Sequence, residues 1–211
     1  MKKILLLMPP NTMPLNNKAK RAIQPIGLMY IAAVLEKNGF TAGIIDTATD
    51  GWENEVIEGR FITYGLTYDE IKDKIKGFNP DIVGVSCAFS PQINNVHKTC
   101  KAVKEVNKKI VTVIGGLHPT VFPEESLKND FVDYVVMGDG EYRMTDLVKR
   151  LNEKKNFDGF DGIAYKKNGS IIIQKPLSSI ENLDELSYPA RHLVNMEKYF
   201  EINMPFNPFP K

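Results

Sequence analysis

The sequence predicts a doubly wound α/β domain built on a five-stranded parallel sheet, and three observations carry that expectation. Short β-branched runs alternate with segments of helical periodicity from Lys3 to Leu151. The run from Ile110 to Ile114 stops at two adjacent glycines, Gly115 and Gly116, as a buried strand does when something approaches its end closely. A later pair of apolar runs flanks Asn168-Gly169, a strong signal for a separate hairpin.

Taken in order, Lys3 to Met8 is the first strand, and Pro9-Pro10-Asn11 ends it. A polar loop follows to Gln24. Pro25 then opens a helix, its fixed φ suiting a first turn. Leu28, Ile31, Ala32 and Leu35 share one face of that helix, and Gly39 stops it. Thr41 to Asp46 is the second strand. Residues 47–66 show the least regular pattern. Thr67 and Glu70 form a capping box for a helix whose inward residues are Ile71, Ile75 and Phe78. Asp81 to Ser86 is the third strand. Ser90 caps the next helix with Pro91 in its first turn, and Ile93, Val96, Cys100 and Val103 form its buried face. Ile110 to Ile114 is the fourth strand, 123–127 a short helix, and Val132 to Met137 the fifth strand. Gly138-Asp139-Gly140 leads into a last helix with Met144, Leu147, Val148 and Leu151 inside.

This βα alternation gives right-handed crossovers and the flavodoxin-like strand order 2-1-3-4-5. The expected organisation is an α/β domain over 1–155, a β-hairpin extension over 156–176 and a linker over 177–211. The final stretch, Met204 to Lys211, is rich in proline and aromatic residues and points to a neighbouring domain beyond it.

Composition narrows the function. The 27 basic and 26 acidic residues leave no basic field to collect nucleic acid. No apolar run approaches the roughly 20 residues of a membrane span, and the apolar start, Ile4 to Met8, is too short for a signal peptide. A cytoplasmic protein is expected. The two cysteines, Cys87 and Cys100, are too few for a disulfide framework and have no metal-ligand spacing.

In such a sheet ligands bind beyond the carboxyl ends of the strands. The loops gathered there hold Gly, Ser, Thr and Asn, and no pair of groups makes a nucleophile and base. The chain therefore reads as one that holds a ligand without transforming it. His118 fits a ligand contact without metal coordination. Cys87 lies at the site edge, where a reactive thiol is one reading and a small buried residue the favoured one. Gly138-Asp139-Gly140-Glu141 lacks the third glycine of a dinucleotide fingerprint and follows the wrong strand, so it reads as a tight strand-to-helix turn whose helix start faces a polar ligand. Asp46 reads as a loop cap.

These residues together resemble the N-terminal cobalamin-binding domain of cobalamin-dependent radical S-adenosylmethionine enzymes. The matching pieces are Pro9-Pro10, Pro25 to Ala33, Pro80 to Ser86, Gly115-Gly116-Leu117-His118-Pro119-Thr120, Asp133 to Glu141, and the linker pieces Leu183 to Leu186 and Pro189-Ala190-Arg191. The resemblance implies a cobalamin-binding module of a larger methyltransferase or ring-forming enzyme. It implies that Ser86 bonds the nucleotide tail and that Gly115 and Gly116 let the tail pass. The histidine loop of the wider cobalamin-binding fold is missing, since residues 9–24 contain no histidine. Base-off binding with no protein histidine on the metal is the implied state. The expected cofactor contacts are Asn11, Gln24, Ser86, Cys87, Gly115, Gly116, His118, Thr120, Gly138, Gly140 and Glu141, with no catalytic or metal-ligating residue. S-adenosylmethionine and a 4Fe-4S cluster are expected only in a C-terminal radical barrel, the expected partner, because two cysteines cannot hold that cluster. The alternative is a stand-alone flavodoxin-like protein binding flavin or a nucleotide.

Overall fold

The computed structural model describes residues 2–16 and 20–203; the expected irregular stretch from 204 onward lies outside them. Five strands form the parallel core: β1 (Lys3–Met8), β3 (Thr41–Asp46), β6 (Ile82–Ser86), β7 (Val111–Gly115) and β8 (Tyr134–Val136). Their order is β3-β1-β6-β7-β8, the expected 2-1-3-4-5. The hairpin strands β9 (Ile163–Lys167) and β10 (Ser170–Gln174) extend the same sheet to seven strands, β9 pairing antiparallel with β8. Asn168 and Gly169 both take positive φ, 52° and 79°, the backbone a two-residue hairpin turn demands.

Alternation along the strands divides the core. Leu5, Leu7, Val83, Val85 and Ile114 face α3 (Tyr68–Phe78) and α4 (Ile93–Val106). Ile4, Leu6, Ile82, Val113 and Val136 face α1 (Ile26–Lys37) and α7 (Gly140–Glu153). Burying both faces makes these strands near-continuous apolar runs. The Thr67–Glu70 capping box forms as expected, and Asn79 closes α3 in the left-handed region at φ 53°.

Two regions depart from expectation. Residues 47–66, irregular in pattern, form the one-turn α2 (Thr47–Asp50) and a hairpin of β4 (Glu55–Glu58) and β5 (Phe61–Tyr64). The first polar loop contributes β2 (Asn11–Pro14), giving a second sheet ordered β2-β5-β4. Its outer strand β4 is exposed along its whole length. Ser90 does not cap α4. Residues Ser90–Gln92 make a 3₁₀ turn with no side-chain cap, and the Ser90 hydroxyl lies 3.0 Å from His118 Nδ1.

After β10 the chain returns across the domain. Ala190 N–H donates to Met29 O at 3.1 Å, and His192 Nε2 sits 3.0 Å from Glu36 Oε1, both on α1. The chain then reaches α8 (Met196–Asn203), which lies over the end of β3. No helix among the described residues is long and apolar enough to cross a membrane.

Candidate functional site

The five parallel strands end at Met8, Asp46, Ser86, Gly115 and Val136, and the candidate residues follow those ends. Ser86 and Gly115 are register partners. By strand alternation they share a face with Gly84, the face that α1 and α7 cover. The space that a Gly84 side chain would fill is taken by Leu6 Cδ2 and Met144 Cε. Higher up the floor is bare: a Cβ on Gly115 would meet only Val136 O, at 3.4 Å. The Ser86 hydroxyl beside it has no partner among the described residues and is half-buried. Small residues and one unspent hydroxyl thus mark the ends of β6 and β7 on the face that α1 and α7 cover.

The two glycines of the pair do different work. Gly116 sits at φ 109°, where an L side chain is strained, and a Cβ there would stand 2.7 Å from Cys87 O. The close approach is held by Cys87 N–H donating to Gly115 O at 2.8 Å and His118 N–H donating to Cys87 O at 3.3 Å. The space beside Gly116 therefore belongs to the protein's own backbone. Cys87 is fully buried, and burial pushes its thiol up to about 11.

His118 lies in the short helix α5 (Leu117–Val121) and is 4% exposed. Its Nδ1 faces Ser90 Oγ, its ring packs at 5.3 Å from Phe122, and its Nε2 is buried with no partner among the described residues. Thr120 bridges two loops: its Oγ1 donates to Gly116 O at 2.8 Å and accepts from Gly138 N–H at 2.9 Å. Gly140 lets α7 start against α1, since a Cβ there would meet Ile31 Cδ1 at 2.9 Å. Glu141 is half-buried in the first turn of α7, and burial, aided by nearby Asp139, raises its carboxyl above the usual range.

Asn11 stands apart from this group. Its Nδ2 donates to Tyr64 Oη at 2.7 Å, and its Oδ1 accepts from Gln92 Nε2 at 2.5 Å. Gln92 and the buried Asn95 also hold Thr12, which fastens the first loop to the start of α4. Gln24 is half-buried just ahead of α1.

Sequence reasoning missed two features. The first is an apolar rim: Ile23, Ile26, Phe89, Leu117, Val121 and Tyr142 are all exposed, and all lie beyond strand ends. Apolar residues in otherwise polar loops were the available signal. The second is Arg143, 7% exposed under the fifth loop. Its Nη1 donates to Asp139 O at 2.9 Å and its Nε to Asp161 O at 2.9 Å. Its Nη2 reaches Asp161 Oδ2 at 2.8 Å and Ser178 O at 2.6 Å. Gly138 and Gly162, both at positive φ, leave room for the guanidinium: a Cβ on either would stand within 2.9 Å of it.

Two cavities flank the site. One of about 480 Å³ lies between Asp50–Asn54 and α8, and one of about 450 Å³ lies between α7 and residues Ser178–Asn182. Neither is lined by Ser86 or Gly115. Among the described residues no group of His, Cys, Asp and Glu is arranged to hold a metal ion.

Comparison with known proteins bears on the family and the fold. A family model described as the B12 binding domain matches residues 14–148. The chain is 36% identical to cytidylyl-2-hydroxyethylphosphonate methyltransferase of Streptomyces wedmorensis, over 98% of this chain and 43% of that protein. It is 31% identical to the anaerobic magnesium-protoporphyrin IX monomethyl ester cyclase of Rubrivivax gelatinosus, over 85% of this chain and 31% of the cyclase. The chain thus spans less than half the length of these curated relatives. Among solved structures, the cobalamin-dependent S-adenosylmethionine radical enzyme OxsB with aqua-cobalamin bound shares the fold at a TM-score of 0.73 and 18% identity, over 96% of this chain and 26% of that one.

Proposed function

The chain belongs to the B12-binding domain family, and from that premise we propose that it holds cobalamin base-off, with the nucleotide tail in a slot above Gly84 and the corrin on the apolar rim. The observation that carries this reading is the bare floor at Gly115 beside the unpartnered Ser86 hydroxyl. A flat heterocycle needs that kind of space, and a lone hydroxyl offers it one hydrogen bond. Phe89, Leu117, Ile23 and Ile26 supply apolar surface at the mouth, where a corrin of similar extent removes it from water.

In this reading the metal would take no ligand from the described residues. Residues 9–24 contain no histidine. His118 is turned inward against Ser90 and Phe122, so its ring does not reach the rim. Its role is to brace the short helix that follows the glycines. Thr120, Gly138 and Gly140 likewise shape the loops, while Glu141 borders the rim. Asn11 fixes the first loop in place through Tyr64 and Gln92.

When bound, cobalamin supplies a cobalt that can carry a methyl group. The parent reaction is a methyl transfer or a ring formation, a reading supported by the methyltransferase and cyclase relatives. S-adenosylmethionine and a 4Fe-4S cluster belong to a C-terminal radical barrel, the natural partner of this chain. No nucleophile–base pair stands at the site, so the module positions the cofactor and leaves chemistry to that partner. The organisation is a cofactor domain over 1–155, a hairpin over 156–176 that continues its sheet, and a linker from 177. A cytoplasmic setting suits two buried free thiols.

The test is direct. Protein incubated with hydroxocobalamin and desalted should keep the cofactor with a base-off visible spectrum. A colourless protein, or a spectrum showing histidine coordination, would overturn the reading.

A further inference from the structure

The hydrogen bonds of Thr120 and Arg143 form one continuous path from the glycine loop to the segment after β10. Gly116 O accepts from Thr120 Oγ1, and Thr120 Oγ1 accepts from Gly138 N–H. One residue on, Asp139 O accepts from Arg143 Nη1, while the Asp139 carboxylate accepts from Ile180 N–H at 3.0 Å. Arg143 also holds Asp161 and Ser178, and Asp161 Oδ1 accepts from Leu177 N–H at 2.5 Å. Two linker amides are therefore tied to the carboxylates of Asp139 and Asp161, and Arg143 holds the main-chain carbonyl of the first and the carboxylate of the second. Arg143 is buried, and two positive-φ glycines make space for it, so its position is over-determined.

We propose that Thr120 and Arg143 are positioning residues that couple occupancy of the Gly115 slot to the order of linker residues 177–180. A cofactor lying over Gly115 restrains the loop that Thr120 grips. Restraint there passes to Gly138, to Asp139 and, through Arg143, to Leu177 and Ile180. The downstream part of the protein then hangs from a segment that stiffens when the cofactor site is filled. This rests on the reading of the slot as the cobalamin site.

Amide hydrogen exchange with and without hydroxocobalamin tests the coupling. In the wild type, bound hydroxocobalamin should slow exchange at Leu177 and Ile180 about tenfold or more. Thr120→Val should speed exchange at both amides in ligand-free protein and abolish the cofactor's effect on them. Thr120→Ser, which keeps the hydroxyl, should behave as wild type. If Thr120→Val does not fold, Asp139→Ala at an exposed side chain should release Ile180 and leave Leu177 slow. Unchanged linker exchange in cofactor-loaded wild type, or wild-type exchange in Thr120→Val or Asp139→Ala, overturns the coupling. A wild type that retains no hydroxocobalamin overturns the slot reading instead, and the ligand-free comparison of Thr120→Val with wild type still decides the hydrogen-bonded path.

Discussion

The Tyr199 hydroxyl donates a 2.7 Å hydrogen bond to Asp46 Oδ2, joining the last described helix to the end of the second core strand across 153 positions. Thr49 shares that carboxylate, its hydroxyl donating at 2.7 Å to the same oxygen. Burial raises the Asp46 carboxyl above its ordinary range, although both hydroxyl donors pull it down. The folded protein thus holds the Asp46 proton more tightly than the unfolded chain. This contribution to stability is present at low pH and is lost as pH rises through the folded value. Asp46→Asn should flatten that slope in denaturant melts taken from pH 4 to 8. Tyr199→Phe, which removes a donor from a buried carboxyl, should cost about 1–3 kcal/mol at neutral pH. Equal stability of Tyr199→Phe and wild type would mean that α8 is not held this way.

The two adjacent glycines should respond oppositely. Gly116→Ala forces a side chain into positive φ against Cys87 O and should destabilise the fold by about 2–4 kcal/mol. Gly115→Val meets only Val136 O near its Cβ and should fold, yet lose retained hydroxocobalamin. A Gly115→Val protein that holds cobalamin as well as wild type does would remove the slot.

Exchanging His118 for alanine should weaken cobalamin retention only slightly, because the ring braces α5 against Ser90 and Phe122 from inside. The visible bands of the bound cofactor should not move. A shifted ligand-field spectrum would place this imidazole on the metal.

The linker tether should fail in acid. Burial alone would raise the Asp161 carboxyl, but hydrogen bonds from Ser178, the Leu177 amide and Arg143 outweigh it and hold it near 2, below the ordinary 3.8. A depressed carboxyl contributes stability above its unfolded value and loses it as pH falls through the folded one. The Leu177 amide shift, followed by NMR, should titrate with a midpoint near pH 2. A midpoint at the ordinary carboxylate value would show that the Arg143 cluster does not form.

Both thiols should be inert in the native state. Burial pushes Cys87 up to about 11 and Cys100 up to about 12, and only a thiolate attacks an alkylating reagent. Iodoacetamide at pH 7.5 should label neither until the protein is denatured. Fast native labelling of Cys87 would point to an open, reactive site edge.

The parallel core was legible because its signals are local. Two-sided burial writes unbroken apolar runs such as Ile4 to Leu7, and positive φ demands glycine or asparagine at fixed places such as Gly39 and Asn79. The small sheet was not legible. Its outer strand β4 buries no face, and β2 lies in a loop whose pairing with β5 depends on residues about 50 positions away. The site was half legible. Ser86 and Gly115 stood out as small residues at strand ends, whereas the roles of Gly116 and Thr120 depend on which backbone comes near. Arg143 gave no signal, since its partners are mostly main-chain carbonyls, those of Asp161 and Ser178 lying 18 and 35 residues downstream. A buried guanidinium and a solvated one look alike in a sequence.

The outer strand of the small sheet is short and carries Glu55 and Glu58 around Val56 and Ile57. If two copies met edge to edge, the antiparallel register that pairs all four residues would set Glu55 of each against Glu58 of the other. Opposed like charges disfavour such a ladder. Like charge at both ends of so short an edge works against its pairing with a second copy, Glu58 carrying most of that charge because Glu55 is paired with Lys20 Nζ at 2.6 Å.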